Sequence, residues 1–300
     1  MISPLVRRKR LARELRHYRD KAGLSSSQLA ARARLNRQKI SSLENGHPFT
    51  NVADVAAVLD ALDLDESTWH MLFQIADDAT KPGWWASWEG MGHRQILYVD
   101  LEAGASTVRE YNNFVVPGLL QIADYVRTRA QLSALHWQWG DKGQYDIERG
   151  IAARAQRQKM TLRRPDGPNY QAILDELVIR RAAASPEVMV RQLEHLVEMS
   201  ELKKVQIRVL PIEASMGDLW VPRSPFSLYS YPDSGDPTVA VVDTEVEDYL
   251  YIDDAEVRPY IELFDRLEKG ALSVEESAEF LRDRVKYFAK VSEREKSEPR

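Results

Sequence analysis

Arg37, Gln38, Lys39 and Ser42 stand close together in the stretch Asn36–Glu44, NRQKISSLE. These residue types carry the chemistry that reads base edges. Arginine pairs with guanine, glutamine with adenine, and lysine with guanine or a phosphate. Helical spacing puts Ile40 and Leu43, three apart, on the other side. The four polar residues therefore share a face that stabilises no fold. Such chemistry requires a short helix lying in the major groove of a duplex, and a scaffold that holds it there.

The neighbouring residues supply that scaffold. Ser25, Ser26 and Ser27 are able to cap a helix whose inward residues are Leu29 and Ala30. A tight turn follows through Leu35, and Asn36 is a good N-cap for the next helix. Upstream, Leu11, Leu15, Tyr18 and Ala22 recur at helical spacing and predict a helix over 5–22, with Gly23 at the left-handed C-cap. Helices are expected over 26–33 and 37–44. Another starts near Thr50 and buries Val52, Val55, Val58, Leu59 and Leu62. A fifth, over 66–78, buries Trp69, Leu72, Phe73 and Ile75. Five helices with short links predict a compact all-α domain over 1–78.

Charge divides the chain in the same place. Residues 1–50 hold twelve Lys or Arg against Glu14, Asp20 and Glu44, a balance of +9; with -5 overall, the remainder carries -14. A basic head on an acidic body is attracted to phosphate at one end and repelled elsewhere, which orients it on a nucleic acid. Arg8 and Arg10, in the basic start of the first helix, are expected along the DNA backbone. Cys is absent, which removes disulfides, thiolate nucleophiles and cysteine-based zinc sites and suits a reducing compartment. No stretch approaches the roughly 20 apolar residues of a membrane span, so a soluble, cytoplasmic chain is expected.

Residues 79–95 read as a Trp-rich docked linker. Pro82 and Gly83 break the helix, and Trp84, Trp85 and Trp88 follow at once. The body, 96–290, alternates helix and strand. Helices are expected over 96–105, from Pro117 to about 131, and over 145–161, 186–199, 254–268 and 273–290. Strands are expected over 106–111, 170–178, 205–210, 226–231, 238–242 and 248–252. That pattern predicts a larger α+β (mixed α/β) domain with a small sheet, and a frayed tail over 291–300.

Leu24-Ser25, Leu29-Ala30 and Ile40-Ser41-Ser42-Leu43-Glu44-Asn45-Gly46 resemble the XRE, or lambda-repressor-like, helix-turn-helix group over about residues 7–76. The resemblance implies base reading by Arg37, Gln38, Lys39 and Ser42, and a phosphate contact near Asn45. It makes Glu44 structural, because the group commonly has an acid there and an acid facing DNA is repelled. The group often has Gln at the start of its second helix, contacting phosphate; Ser26 stands there in this chain, so that contact weakens or passes to Ser27 and Gln28.

The body has its own resemblance. Gly83-Trp84-Trp85, Leu101-Glu102, Val116-Pro117-Gly118-Leu119-Leu120-Gln121, Asp124-Tyr125, Asp175-Glu176 and Val205–Pro211 are similar to the large domain of unknown function in actinobacterial WhiJ-like regulators, over about 80–270. This implies a transcriptional regulator, often paired with a small protein encoded nearby, and implies no established reaction. Ile122 and Val126 depart from the usual Thr and Ala.

Little in the body reads as catalytic. The six His are scattered, with no HExxH or other ligand spacing, no Ser lies in GxSxG, and no Gly-rich phosphate loop appears. No catalytic residue, metal or cofactor is expected. Asp175-Glu176 reads as a structural pair with Arg180 or Arg181, and Glu102 as buried against a partner such as Arg109. The acidic run Asp243–Asp248 reads as a solvated loop. If the body holds a pocket, Trp84, Trp85 and Glu102 with Gln121 and Tyr125 are the candidates to line it, the last two on the exposed face of the helix after Pro117. The leading reading is a helix-turn-helix regulator binding double-stranded DNA as a homodimer, its body sensing a small-molecule effector or small partner protein. The alternatives are a toxin–antitoxin-like protein that sequesters its partner and, behind it, an enzyme with a DNA tether.

Overall fold

The computed structural model describes residues 2–88, 92–136, 147–214, 222–244 and 247–297. The chain divides into two compact units. Unit 1 gathers Met1–Ser87, Ile96–Ala105 and Ser230–Thr238; unit 2 holds Trp88–Gln95, Ser106–Tyr229 and Val239–Arg300.

Unit 1 begins with α1 (Pro4–Lys21), α2 (Ser26–Ala33), α3 (Arg37–Glu44), α4 (Val52–Ala61) and α5 (Glu66–Thr80). Each starts where a short polar side chain accepts an amide of its first turn: Ser3, Ser25, Asn36, Asn51 and Asp65. Ser25 and Gln28 cap one another reciprocally, so of the three serines Ser25 is the cap. Leu11, Leu15, Leu29, Ile40, Leu59 and Leu72 fill the core between these helices, while Val52, Trp69 and Phe73 pack half-buried at its edge. Burying each of these large aliphatic side chains contributes about 1.5–3 kcal/mol, which fixes five short helices that are individually marginal.

The other two pieces of unit 1 come from later in the chain. The end of α6 (His93–Glu102) brings Asp100, which accepts from the Ser3 hydroxyl at 2.6 Å and the Leu5 amide at 3.2 Å. The loop 230–238 brings the Tyr231 hydroxyl, which donates to the Leu101 carbonyl at 2.7 Å. Sequence boundaries at 78 and 95 thus cut across this unit. In the Trp-rich segment, Trp84–Ser87 forms a 3-10 turn, with Trp85 buried and Trp84 and Trp88 half-buried; Glu89 and Gly90 lie outside the described residues.

Unit 2 contains β1 (Thr107–Asn112), α7 (Ala123–His136), α8 (Ile147–Thr161), β2 (Asn169–Asp175), α9 (Glu176–Arg180), α10 (Pro186–Ser200), β3 (Val205–Leu210), β4 (Phe226–Ser230), β5 (Val239–Val242), β6 (Tyr249–Tyr251), α11 (Asp254–Gly270) and α12 (Val274–Ser297). The strands form one sheet in the order β3-β2-β1-β4-β5-β6. β1, β2 and β3 run parallel, with Val108 opposite Tyr170 and Tyr170 opposite Val205. β4, β5 and β6 are antiparallel, with Phe226 opposite Val242 and Val242 opposite Tyr249. Period-two alternation turns Tyr111, Ile173, Leu210, Phe226, Leu228 and Ala240 to one face, where Val257, Phe264 and Leu267 of α11 cover them.

Three expectations are corrected here. The helix from Pro117 is split: Gly118–Leu120 is a 3-10 turn, and α7 starts only at Ala123. Gln192 of α10, fully buried, donates to the Leu120 carbonyl at 2.8 Å and accepts the Ile122 amide at 2.9 Å, so these groups are satisfied without continuing the helix. The strand expected to reach 178 ends at Asp175, whose carboxylate accepts the Leu177 amide and caps α9. The tail expected to fray from 291 stays helical to Ser297, because Ser292 and Lys296 both reach Glu187 of α10, at 2.8 and 3.6 Å.

Candidate nucleic-acid interface

The base-reading face expected on α3 stands outside the fold. Arg37, Gln38 and Lys39 are exposed and Ser42 is half-buried, while Ile40 and Leu43 beneath them belong to the core. Among the described residues Arg37 and Gln38 have no hydrogen-bond or ionic partner. Lys39 differs: its ammonium pairs with Asp54 of α4 at 2.7 Å. This is an exposed pair, worth at most about 1 kcal/mol and screened by salt, so a phosphate readily replaces the carboxylate.

A buried brace fixes the pitch of α3. Glu44 is 6% exposed. One of its oxygens accepts from Nε of Arg19 in α1, and the other from the Ser26 hydroxyl in α2 at 3.2 Å. Arg19 also donates to the Leu24 carbonyl at 3.0 Å. Three helices meet on one carboxylate, which makes Glu44 structural, as expected from its charge. The Glu44 carboxylate, through its hydrogen bond first, holds the Arg19 guanidinium above its ordinary pKa. Sequence reasoning missed Arg19: its spacing in α1 is that of any solvated arginine.

The far end of α3 is closed against α1. Lys9 donates to the Asn45 carbonyl at 3.1 Å, and Asn45 turns its amide back to the Ser41 carbonyl at 2.7 Å. Gly46 follows at φ +67°, and a Cβ there would come within 2.8 Å of Lys9 Cδ. Both the conformation and the space call for glycine.

The remaining candidates separate. Ser27 and Gln28 are exposed at the start of α2, with Gln28 Oε1 taken up by the cap. Ser26 is half-buried on Glu44 rather than turned outward. Arg10 is corrected: it offers no free guanidinium. Arg10 is 7% exposed and donates to Asp233 and Asp236; Arg8 is half-buried, and burial lowers its pKa while Asp100 partly opposes the shift. Arg13 and Arg16 remain exposed on α1, Arg13 donating to the Gly235 carbonyl at 2.7 Å.

The five candidates of the linker and body are divided between the two units. Trp84, Trp85 and Glu102 belong to unit 1, Gln121 and Tyr125 to unit 2. Tyr125, expected on the exposed face, is fully buried, and burial pushes its hydroxyl pKa up. Gln121 is half-buried and donates to the Val116 carbonyl at 2.6 Å. Glu102 is buried as expected, but Arg109 goes elsewhere, to Gln171 at 3.0 Å and Asp265 at 2.9 Å, over the Phe264 ring. Two cavities open in unit 2. One, about 600 Å³, is lined by Phe226, Val242, Tyr251, Tyr260, Leu263 and Arg266 among others. The second, about 430 Å³, takes in Ile122, Ala123 and Asp124 at the start of α7 with Arg191, His195 and Glu198. None of the five candidates lines either. Glu176 pairs with Arg180, as expected, and also accepts the Ile212 amide at 2.8 Å. In the acidic run, expected as a solvated loop, Asp243 and Asp248 are instead half-buried, with Arg94 donating to Asp248; Glu245 and Val246 lie outside the described residues. Among the described residues no group of three or more His, Asp or Glu is placed to hold a metal, and no helix is long and apolar enough to cross a membrane.

Residues 10–69 match a helix-turn-helix domain family, which agrees with the three-helix brace and the exposed face of α3. No curated protein and no solved structure is similar to the chain. Residues 95–283, well over half of its length, match the family described as a domain of unknown function (DUF5753), and the chain belongs to that family, with an XRE-like helix-turn-helix domain in front.

Proposed function

We propose that the chain is a sequence-specific transcriptional regulator that reads the major groove with α3 and has no reaction of its own. One observation carries the reading. The polar face of α3 presents Arg37 and Gln38 to solvent, unpartnered among the described residues, on a helix that Glu44 and Lys9 hold at both sides of its C-terminal end.

A single eight-residue helix reads too few base pairs for genomic specificity, so the regulator binds as a homodimer on two half-sites roughly 34 Å apart. The DUF5753 domain then carries the input, a small-molecule effector or a small partner protein. The test is selection of duplexes from a random pool by the full chain, followed by binding of the Arg37→Ala and Gln38→Ala variants. Recovery of a two-fold symmetric site, and loss of preference for it in the variants, supports the reading. Selection of no site, or equal losses on selected and random duplexes, rejects it.

A further inference from the structure

The basic start of α1 is engaged by acids from a distant part of the sequence. Arg7 donates to Asp236 at 3.1 Å and Asp233 at 3.3 Å, and lies 4.0 Å from Asp78 of α5. Arg10 donates to the same two aspartates, and Arg13 to the Gly235 carbonyl. The Asp236 carboxylate is only 6% exposed, and the Arg10 side chain 9%. The Arg10 hydrogen bond holds the Asp233 pKa down, at about 2. Asp233, Gly235 and Asp236 all belong to the loop between β4 and β5, which lies inside unit 1 while β4 up to Tyr229 and all of β5 lie in unit 2.

On α1 the residues that pair with the two aspartates of this loop, Arg7 and Arg10, are on a different side from those that meet the end of α3, namely Lys9, Ala12 and Arg19, with Arg13 between the two sides. One rigid helix therefore carries the acidic loop on one side and the recognition helix on another. Core helices shift as units rather than bend.

We propose that Asp233 and Asp236 are positioning residues for DNA recognition. Acting through Arg7 and Arg10, they fix α1, and α1 fixes α3 in the placement that reads a specific site. The loop thereby acts within unit 1 as a latch on α1 whose opening lowers sequence discrimination. The proposal rests on α3 being the reading helix, and one of its two readouts does not need DNA.

The test compares the full chain with D233N/D236N and D233E/D236E. Binding to the selected duplex and to a scrambled duplex gives a specificity ratio. Hydrogen exchange gives the protection of α3 amides, with Leu29 and Leu59 amides as internal controls. The expected result for D233N/D236N is a ratio at least tenfold lower, with scrambled-duplex binding equal or tighter because two arginines are released toward phosphate. Amides of α3 exchange at least tenfold faster and the controls do not. D233E/D236E restores both. An unchanged ratio, unchanged α3 exchange, or controls that loosen equally with α3 overturns the proposal, the last outcome making the latch a clasp for the fold alone. If the wild type selects no site, the DNA reading fails and α3 exchange alone decides the latch. Should the double variant not fold, D233N, at the more exposed of the two carboxylates, carries the same comparison.

Discussion

Arg37 and Lys39 are two residues apart on α3, both exposed, and are held differently. On the proposed reading Arg37 meets a guanine and Gln38 an adenine, and each bidentate pair is worth about 1–3 kcal/mol of base discrimination. Arg37→Ala is therefore expected to weaken the selected duplex by about 1–3 kcal/mol in a fluorescence anisotropy titration, with a smaller loss on random duplex. Lys39 first leaves Asp54, so Asp54→Ala is expected to tighten all duplexes alike and steepen the salt dependence, since it frees a cation and removes an acid. A residue-scale prediction of a different kind concerns Asp243. Burial, and then the nearby charge of Asp248, raises its pKa to about 7, with Arg94 opposing. A carboxyl raised in the folded state favours folding while it is protonated. Its contribution is full below the ordinary value near 4 and is lost as pH rises through 7. Unfolding of unit 2, followed by urea titration, is expected to need less urea at pH 8 than at pH 5. Asp243→Asn, neutral throughout, is expected to flatten that difference.

Helices and strands form where local pattern and distant partner agree, and Gln192 shows what happens where they do not. Pro117-Gly118-Leu119-Leu120-Gln121 has the composition of a helix start, yet one buried amide from α10 satisfies both the Leu120 carbonyl and the Ile122 amide and holds the chain extended between them. Gln192→Leu keeps the volume and orphans both groups. With about 1–3 kcal/mol for each buried polar group left unsatisfied, a clear drop in the thermal midpoint of unit 2 is expected, read by circular dichroism. An unchanged midpoint would mean the junction is held by packing alone. The same logic separates what was legible in the sequence from what was not. α1 to α5, and the polar face of α3, follow from 3.6-residue periodicity and caps that lie within a few residues of what they cap. β3 follows from alternation, and the other strands from short runs bounded by turn residues. The break before α7 and the helical tail to Ser297 depend on Gln192 meeting Leu120 and on Glu187 meeting Ser292. No window of local sequence contains both members of any of these pairs.

The molecule as a whole divides along a line that its sequence composition does not mark. Local sequence places the end of the basic head where periodicity gives way to Pro82 and Gly83, and it places Arg8 and Arg10 along phosphate. In the structure the helix-turn-helix unit is completed by 96–105 and 230–238, and their acids, Asp100, Asp233 and Asp236, are the local counter-charge to α1. The +9 of the first fifty residues is thus partly neutralised within unit 1. The isolated fragment 1–87 loses all three acids. Its Ser3 hydroxyl and Leu5 amide lose Asp100, and its Arg7 and Arg10 lose both partners from the loop. Arginines so released become hydrated rather than stranded, so the loss is of charge-assisted hydrogen bonds and packing, at about 1.5–3 kcal/mol for each bond to a charged group before hydration offsets it. The fragment is expected to unfold in urea at a midpoint clearly below that of the same helices in the full chain, followed by exchange of the Leu11 and Leu15 amides. Its DNA binding is expected to depend more steeply on salt, because the freed α1 arginines reach phosphate. Equal midpoints would show that the five helices are self-sufficient and that the later segments merely rest on them.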